Sequence, residues 1–321
     1  MTAFEKTLAI LILSLPAYLA ISQEVRSDSV SLKSDSLSLK ELDKFFTHQD
    51  SLEIFELLDS LLLMESVKET SQMAVRLGYN SNIIADNRTL NISQFGLAPG
   101  VSYYHKTGLY ADITTYWSQE YDPHLYLSVA STGYLHTFTK WYSILGEYSH
   151  YFYNQPKDST VSVPYTNNIG LTNYFEFKHK VFRLDYYFYF GEKIAHRIMP
   201  SLGINLVKRK WNGLDRVSFY PTFNVLFGSE EIIKEEIYSN VLARIQYNRT
   251  HNPKLPLTYQ TKYTEFGVMN YSISTPISIT RKDWTFLLSY TYNIPKALAG
   301  EDLSLQSGGY ISFSITKYFS F

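Results

Sequence analysis

The closing stretch of the chain, SGGYISFSITKYFSF over residues 307–321, alternates strictly, and that alternation constrains the fold more than any other feature. Ile311, Phe313, Ile315, Phe319 and Phe321 fall on one face of an extended strand. Tyr310, Ser312, Ser314, Thr316, Tyr318 and Ser320 fall on the other. A strand of a soluble sandwich hides its apolar face and runs on into a turn. A sequence whose last residue is an apolar strand position suits a barrel sealed by its final strand.

The same period recurs upstream. From Ala74 onward about twelve segments have the nine to eleven residues or so that a tilted membrane strand requires. They run near 74–84, 93–104, 108–117, 125–137, 140–152, 165–177, 180–190, 196–208, 217–227, 264–280, 284–293 and 309–321. Tight turns follow the second, fourth, sixth and tenth segments (HKT, FT, KH, RKD), and a modest one around WNGLD follows the eighth. Longer connections follow all odd segments but the seventh: ADNRTLNI, SQEYDPH, YNQPKDSTVSVP, the stretch 228–263, and PKALAGEDLSLQ. Short turns on one rim and long loops on the other predict an all-β, transmembrane up-and-down antiparallel barrel over residues 71–321, with the short turns periplasmic.

The expected outward sets are Val75, Leu77, Tyr79; Leu109, Ala111, Ile113, Trp117; Phe182, Leu184, Tyr186, Phe188, Phe190; Ile198, Leu202, Ile204, Leu206; Phe219, Phe223, Val225, Phe227; and Trp284, Phe286, Leu288, Tyr290, Tyr292. Mid-strand charges sort to the opposite parity: Arg76, Asp112, Glu147, Glu176, Arg183, Asp185 and Arg197. A basic side chain facing lipid costs about 2–4 kcal/mol at mid-bilayer, whereas a polar lumen lets it pair. Lys317 alone breaks the outward pattern and is expected to reach toward the nearby rim. The composition agrees: 28 Tyr and 20 Phe are scattered among polar residues, and a net charge of -1 argues against nucleic acid as a partner.

Residues 1–22, MTAFEKTLAILILSLPAYLAIS, have the apolar run and small-residue ending of a secretory signal, with Gln23 the mature start. Residues 23–36 read as a solvated linker. Residues 37–70 read as a short helical periplasmic extension, because Ser38 with Glu41 and Asp50 with Glu53 have capping-box spacing. Ile54, Leu57, Leu58, Leu61 and Leu62 would then form an apolar stripe, fit to pack on a neighbouring helix, plug the barrel mouth or dock another protein. Within 228–263, Ile232, Ile233, Ile237, Val241, Leu242 and Ile245 recur at helical steps and predict a helix. The basic residues from Arg244 to Lys254 are placed to meet lipopolysaccharide phosphates or water.

The export signal followed by Gln23, the stretches EYSHYFYN and DYYFYFGEKIAHRIMPSLG, and the closing SITKYFSF together resemble uncharacterised outer-membrane barrels of Bacteroidota. The resemblance implies fold and an outer-membrane location, and carries over no activity and no functional residues.

Catalytic patterns are thin. Ser149 and His150 are adjacent on a strand and so point to opposite faces, leaving His136 or His196 as distant candidates for a base. There is no Cys, no closely spaced His pair for a metal and no glycine-rich phosphate loop, so no cofactor is implied. Three functions stand open: a non-enzymatic accessory subunit of an outer-membrane complex, a narrow porin-like channel lined by the inward charges, and a lipid-modifying barrel enzyme. Expected surroundings are outer-membrane lipid and lipopolysaccharide, with other proteins reached through residues 37–70.

Overall fold

The computed structural model describes residues 70–85, 88–119, 123–154, 165–252, 254–256, 258–301 and 307–321. The signal, linker and apolar stripe predicted ahead of residue 70 lie outside the described residues. The strands are β1 (Gln72–Ala85), β2 (Arg88–Tyr104), β3 (Leu109–Ser118), β4 (Leu125–Thr139), β5 (Tyr142–Tyr153), β6 (Asn167–Phe177), β7 (Lys180–Phe190), β8 (Ile194–Ile204), β9 (Leu206–Trp211), β10 (Leu214–Phe219), β11 (Thr222–Ile237), β12 (Thr258–Ser274), β13 (Ile277–Arg281), β14 (Trp284–Pro295) and β15 (Gly308–Ser320); one helix, α1 (Val241–Thr250), lies between β11 and β12.

Sequence neighbours pair antiparallel, β1 closes on β15, and β12 reaches β14. β8 with β9, β10 with β11 and β12 with β13 are single wall strands interrupted by one or two residues, so the wall has twelve strands. Closure pairs both edges of each strand through the middle of the wall, as a membrane-spanning sheet must; among the described residues, unpaired edges remain at β9 and along the far parts of β11 and β12.

The interruptions fall side by side, at Asn205, Tyr220–Pro221 and Thr275–Pro276. Proline has no N–H to give to a ladder. Neighbouring strands close around the prolines instead: Ile204 N–H donates to Pro221 O at 3.1 Å and Tyr220 N–H to Pro276 O at 3.0 Å. The result is a crease across three strands, below which β9, β10 and β13 continue as a flap at the short-turn rim. The β9–β10 turn carries Asn212 and Gly213 at φ 50° and 80°, the left-handed pair that a tight hairpin demands.

The predicted parity is the observed one along most of the wall. Arg76 and Asp112 are 4 % and 3 % exposed while their neighbours Leu77 and Ile113 are 49 % and 61 % exposed. Along β14 the alternation of exposed Trp284, Phe286, Leu288, Tyr290 and Tyr292 with buried residues is unbroken. A polar interior inside an apolar exterior is the inverse of a soluble core and is the arrangement of outer-membrane barrels. Lys317 lies with Nζ 5.0 Å from the Trp284 ring centroid and 5.3 Å from that of Phe319, which shelters the charge among rim aromatics.

Four expectations need correction. Residues 228–237 are strand, not helix: β11 and β12 pair as far as Ile237↔Thr258, and helix is confined to Val241–Thr250. The ADNRTLNI loop shrinks because β1 and β2 extend to Ala85 and Arg88. β4 runs through Phe138 and Thr139, so the next turn is Lys140–Trp141. Phe219 keeps its outward register with Leu206 and Ile277 but is only 7 % exposed; in the flap Val217, Ser218 and Phe219 are buried in succession. At the chain end β15 stops at Ser320, and Phe321 remains attached by its N–H to Ser71 O at 3.2 Å and by stacking on Tyr103.

Candidate functional site

The lumen is built from rows of register partners, because residues opposite one another in a ladder share a face. One row runs Ser320, Gln72, Tyr104, Tyr110, Gly133, Glu147, Gly170, Tyr187, Arg197, Gly228, Gly267 across ten successive pairings. Large polar side chains and glycines alternate along its middle, and the glycines have a steric purpose. A Cβ on Gly133 would stand 2.4 Å from the Tyr110 ring, and one on Gly170 2.8 Å from the Tyr187 ring. On Gly228 it would meet Arg197 Cδ at 2.6 Å, and on Gly100 Thr114 Oγ1 at 2.7 Å and the Arg76 guanidinium at 3.2 Å. Each glycine is the space across which a neighbouring strand's long side chain lies flat.

The predicted lumen charges are all inward, and most are fixed. Arg76 Nη2 donates to Thr114 Oγ1 at 2.7 Å and sits 3.8 Å from Asp112, which also accepts from Ser102 and from Thr114 Oγ1 at 2.8 Å. Tyr110 OH donates to Glu147, whose other oxygen accepts from Ser149 Oγ at 3.1 Å; Ser149 in turn is 2.8 Å from Ser131. Arg183 Nε bonds Asp185 Oδ2 at 2.9 Å within one strand. Arg197 donates to Glu230 at 3.0 Å and to Ser229 O. Glu176 differs: it stands half-buried at the short-turn rim and accepts from Asn205 Nδ2 at 3.1 Å. Sequence reasoning missed Glu230, because it lay in a segment read as helix; its strand parity with Asn224 and Gly228 was the available signal.

Among the described residues these bonds join strands at most two apart in the wall, and none crosses to the opposite side. The buried clusters respect the same division. Tyrosines 110, 116, 126, 151, 165, 187 and 189 pack along the β3–β8 wall. Met199, Leu226, Ile232 and Met269 pack with Leu298 on the β8–β12 wall. Leu298 belongs to the β14–β15 loop, which therefore folds inward at the long-loop mouth. Gly300, at φ 81°, turns that loop against the Tyr263 hydroxyl.

The residues weighed for hydrolysis are not brought together. Ser149 faces the lumen, while His150 lies outside against Asn167 and Phe152. His136 stacks on Tyr134 and meets Phe138 edge to face, and His196 bonds Tyr186, both on the outer face. No grouping of three or more His, Cys, Asp or Glu suited to a metal occurs among the described residues.

No protein-family model matches the sequence, and no curated protein matches it. Solved structures similar to it include the KdgM porin (8 % identity, TM-score 0.43, over 77 % of this chain and 99 % of that one) and the NanC porin (11 %, 0.40, over 76 % and 98 %). The translocator domain of the autotransporter NalP from Neisseria meningitidis is also similar (9 %, TM-score 0.36, over 85 % and 98 %). At these identities and TM-scores the likenesses carry nothing about role.

Proposed function

We propose that this chain is an integral outer-membrane barrel acting as a narrow conduit for small polar solutes, without catalysis. One observation carries the reading: the long lumen side chains lie flat along the wall over glycines, and the bonds named above join strands no more than two apart. Asn168, Ser289 and Asn293 add buried side-chain N or O atoms that lack a protein hydrogen-bond partner, and such atoms call for water. The apolar group around Leu298 would narrow the long-loop mouth. Planar-bilayer recording of the full chain tests this. Stepwise conductance that grows on Leu298→Ser supports it; a folded, inserted barrel with no conductance before or after that change overturns it.

An accessory role keeps one specific observation. Beyond the pairings Gly228↔Arg197 and Asn270↔Pro295, β11 and β12 continue without a third strand as an arm roughly 25 Å long. Its tip presents Val241, Leu242 and Ile245 on α1. If the arm recruits a partner, removing residues 238–257 strips co-purifying protein and leaves conductance intact.

A further inference from the structure

The flap is the basic part of the short-turn rim. Lys208, Arg209 and Lys210 lie on β9, Arg216 on β10, and Arg281 and Lys282 at the β13–β14 turn. Asp215 and Asp283 are the acidic residues of these segments, and Asp215 is engaged: its Oδ2 accepts the Lys282 backbone N–H at 2.5 Å, tying the two turns together. Arg209, Lys210, Arg281 and Lys282 are exposed. β9 ends the flap, with β10 on one side and no strand on the other. Lysine on an edge strand deters edge-to-edge pairing. That purpose does not require arginine and lysine on the adjoining turn as well.

The same chain brings opposite charge to the same rim. β1 starts at Gln72, opposite Tyr104 and Ser320, and Ser71 holds the chain end, so the residues just ahead of β1 arrive at the short turns. Residues 50–69 contain Asp50, Glu53, Glu56, Asp59, Glu65 and Glu69 against one basic residue, Lys68. In wall order β1, β15, β14, β13, β10, β9, the flap edge is five strand spacings from β1, roughly 24 Å. The residues between Glu56 and Gln72 reach at most roughly 50 Å when extended and about 24 Å as helix, so either conformation spans the gap.

We infer that the acidic segment 50–69 of this chain docks on the basic β9–β10 hairpin, a contact within the molecule held chiefly by charge. Charge alone then sets its salt dependence, because the screening length falls from about 30 Å at 0.01 M to about 3 Å at 1 M.

The chain has no Cys, so introduced pairs report cleanly. Glu56→Cys is combined either with Lys210→Cys or with Lys106→Cys, the latter exposed on the β2–β3 turn of the same rim, where its N–H approaches Ser71 Oγ at 3.4 Å. Lys106 is thus nearer the tether. In nanodiscs of zwitterionic lipid at low salt, a short bismaleimide should close the 56–210 pair several-fold more than the 56–106 pair. The preference should vanish in 1 M salt and on adding Glu53→Lys with Asp59→Lys, while heat-modifiable mobility shows that the barrel stays folded. Equal closure of the two pairs, or a preference that survives charge reversal, overturns the docking. So does a preference that appears only when anionic phospholipid is added, which would assign the hairpin to headgroup phosphates.

Discussion

The wall from β1 to β7 and the wall from β8 to β13 differ in how they spend backbone regularity. In the first no strand is broken in two, the irregularities being local bulges near Asn82, Tyr116 and Thr137, and its lumen bonds run between neighbouring side chains. The second is creased at Asn205, Pro221 and Pro276, rises above the barrel as an arm and falls below it as a flap. Both keep the same parity in the region between. The lesson is that a barrel tolerates proline when the breaks align, since the carbonyls of Pro221 and Pro276 each accept an N–H from the neighbouring strand.

The sharpest way to break this comparison is to overfill a glycine of the creased wall and to set against it a glycine of the regular wall that has open space. Gly228→Val must displace Arg197, which is wholly buried and paired with Glu230, together with Met269. Breaking a buried pair costs about 3–5 kcal/mol, and overpacking adds roughly 1–3, enough to block assembly. Gly146→Ala, with nothing within 4 Å of the new methyl, should leave urea unfolding unchanged. An assembled Gly228→Val barrel of parental stability would show that Arg197 has another place to lie.

Arg183→Met asks whether the regular wall depends on its charge pair equally. It leaves Asp185, fully buried, beside an apolar side chain. The expected loss is about 3 kcal/mol, recovered in large part by adding Asp185→Leu, because replacing both charges removes the orphan. Urea unfolding of the three variants decides it. Additive losses would mean that the two residues act separately.

Alternation revealed the barrel, its strand count and the side on which Arg76, Asp112, Glu147, Arg183, Asp185 and Arg197 lie, because parity is a local property and a charge facing lipid is costly. Register is not local. Nothing near Gly133 or Gly170 in sequence shows that Tyr110 and Tyr187 must cross them, and nothing near Arg197 names Glu230. The helical reading of 228–237 failed because Ile233 and Ile237 satisfy a helical step, while the competing period of Glu230, Ile232, Lys234 and Glu236 becomes decisive only once β12 supplies a partner. The segments 217–227 and 264–280 read straight through Pro221 and Pro276, and the alignment of these breaks with Asn205 is again a matter of register.

The crease itself should be resilient to single changes. Pro276→Ala restores one N–H yet keeps the carbonyl that accepts from Tyr220. With Asn205 and Pro221 still in place, the expected stability change is below about 1 kcal/mol, and the amide of Tyr220 should keep its protection from hydrogen exchange. Merging of β12 and β13 into an unbroken exchange-protected strand would mean that one proline, and not the alignment of three breaks, makes the crease.

The smallest effect belongs to the arm, where solvent screens every charge. Tyr259 OH donates to Glu236 at 2.7 Å, and Lys234 Nζ lies 3.4 Å from the same carboxylate. These two contacts, the tyrosine bond first, hold the Glu236 carboxyl below its ordinary value of 4.5. A depressed folded value means that the contribution to arm stability is present above pH 4.5 and is lost as pH falls through the folded value, not as pH rises. Hydrogen exchange of the Glu236 and Tyr259 amides, followed from pH 6 down to 3 and corrected for intrinsic rates, should therefore show protection declining in acid while barrel amides hold theirs. Glu236→Gln should flatten that decline without altering assembly. If the acid loss persists in Glu236→Gln, the arm is held by its backbone ladder alone and the carboxylate adds nothing.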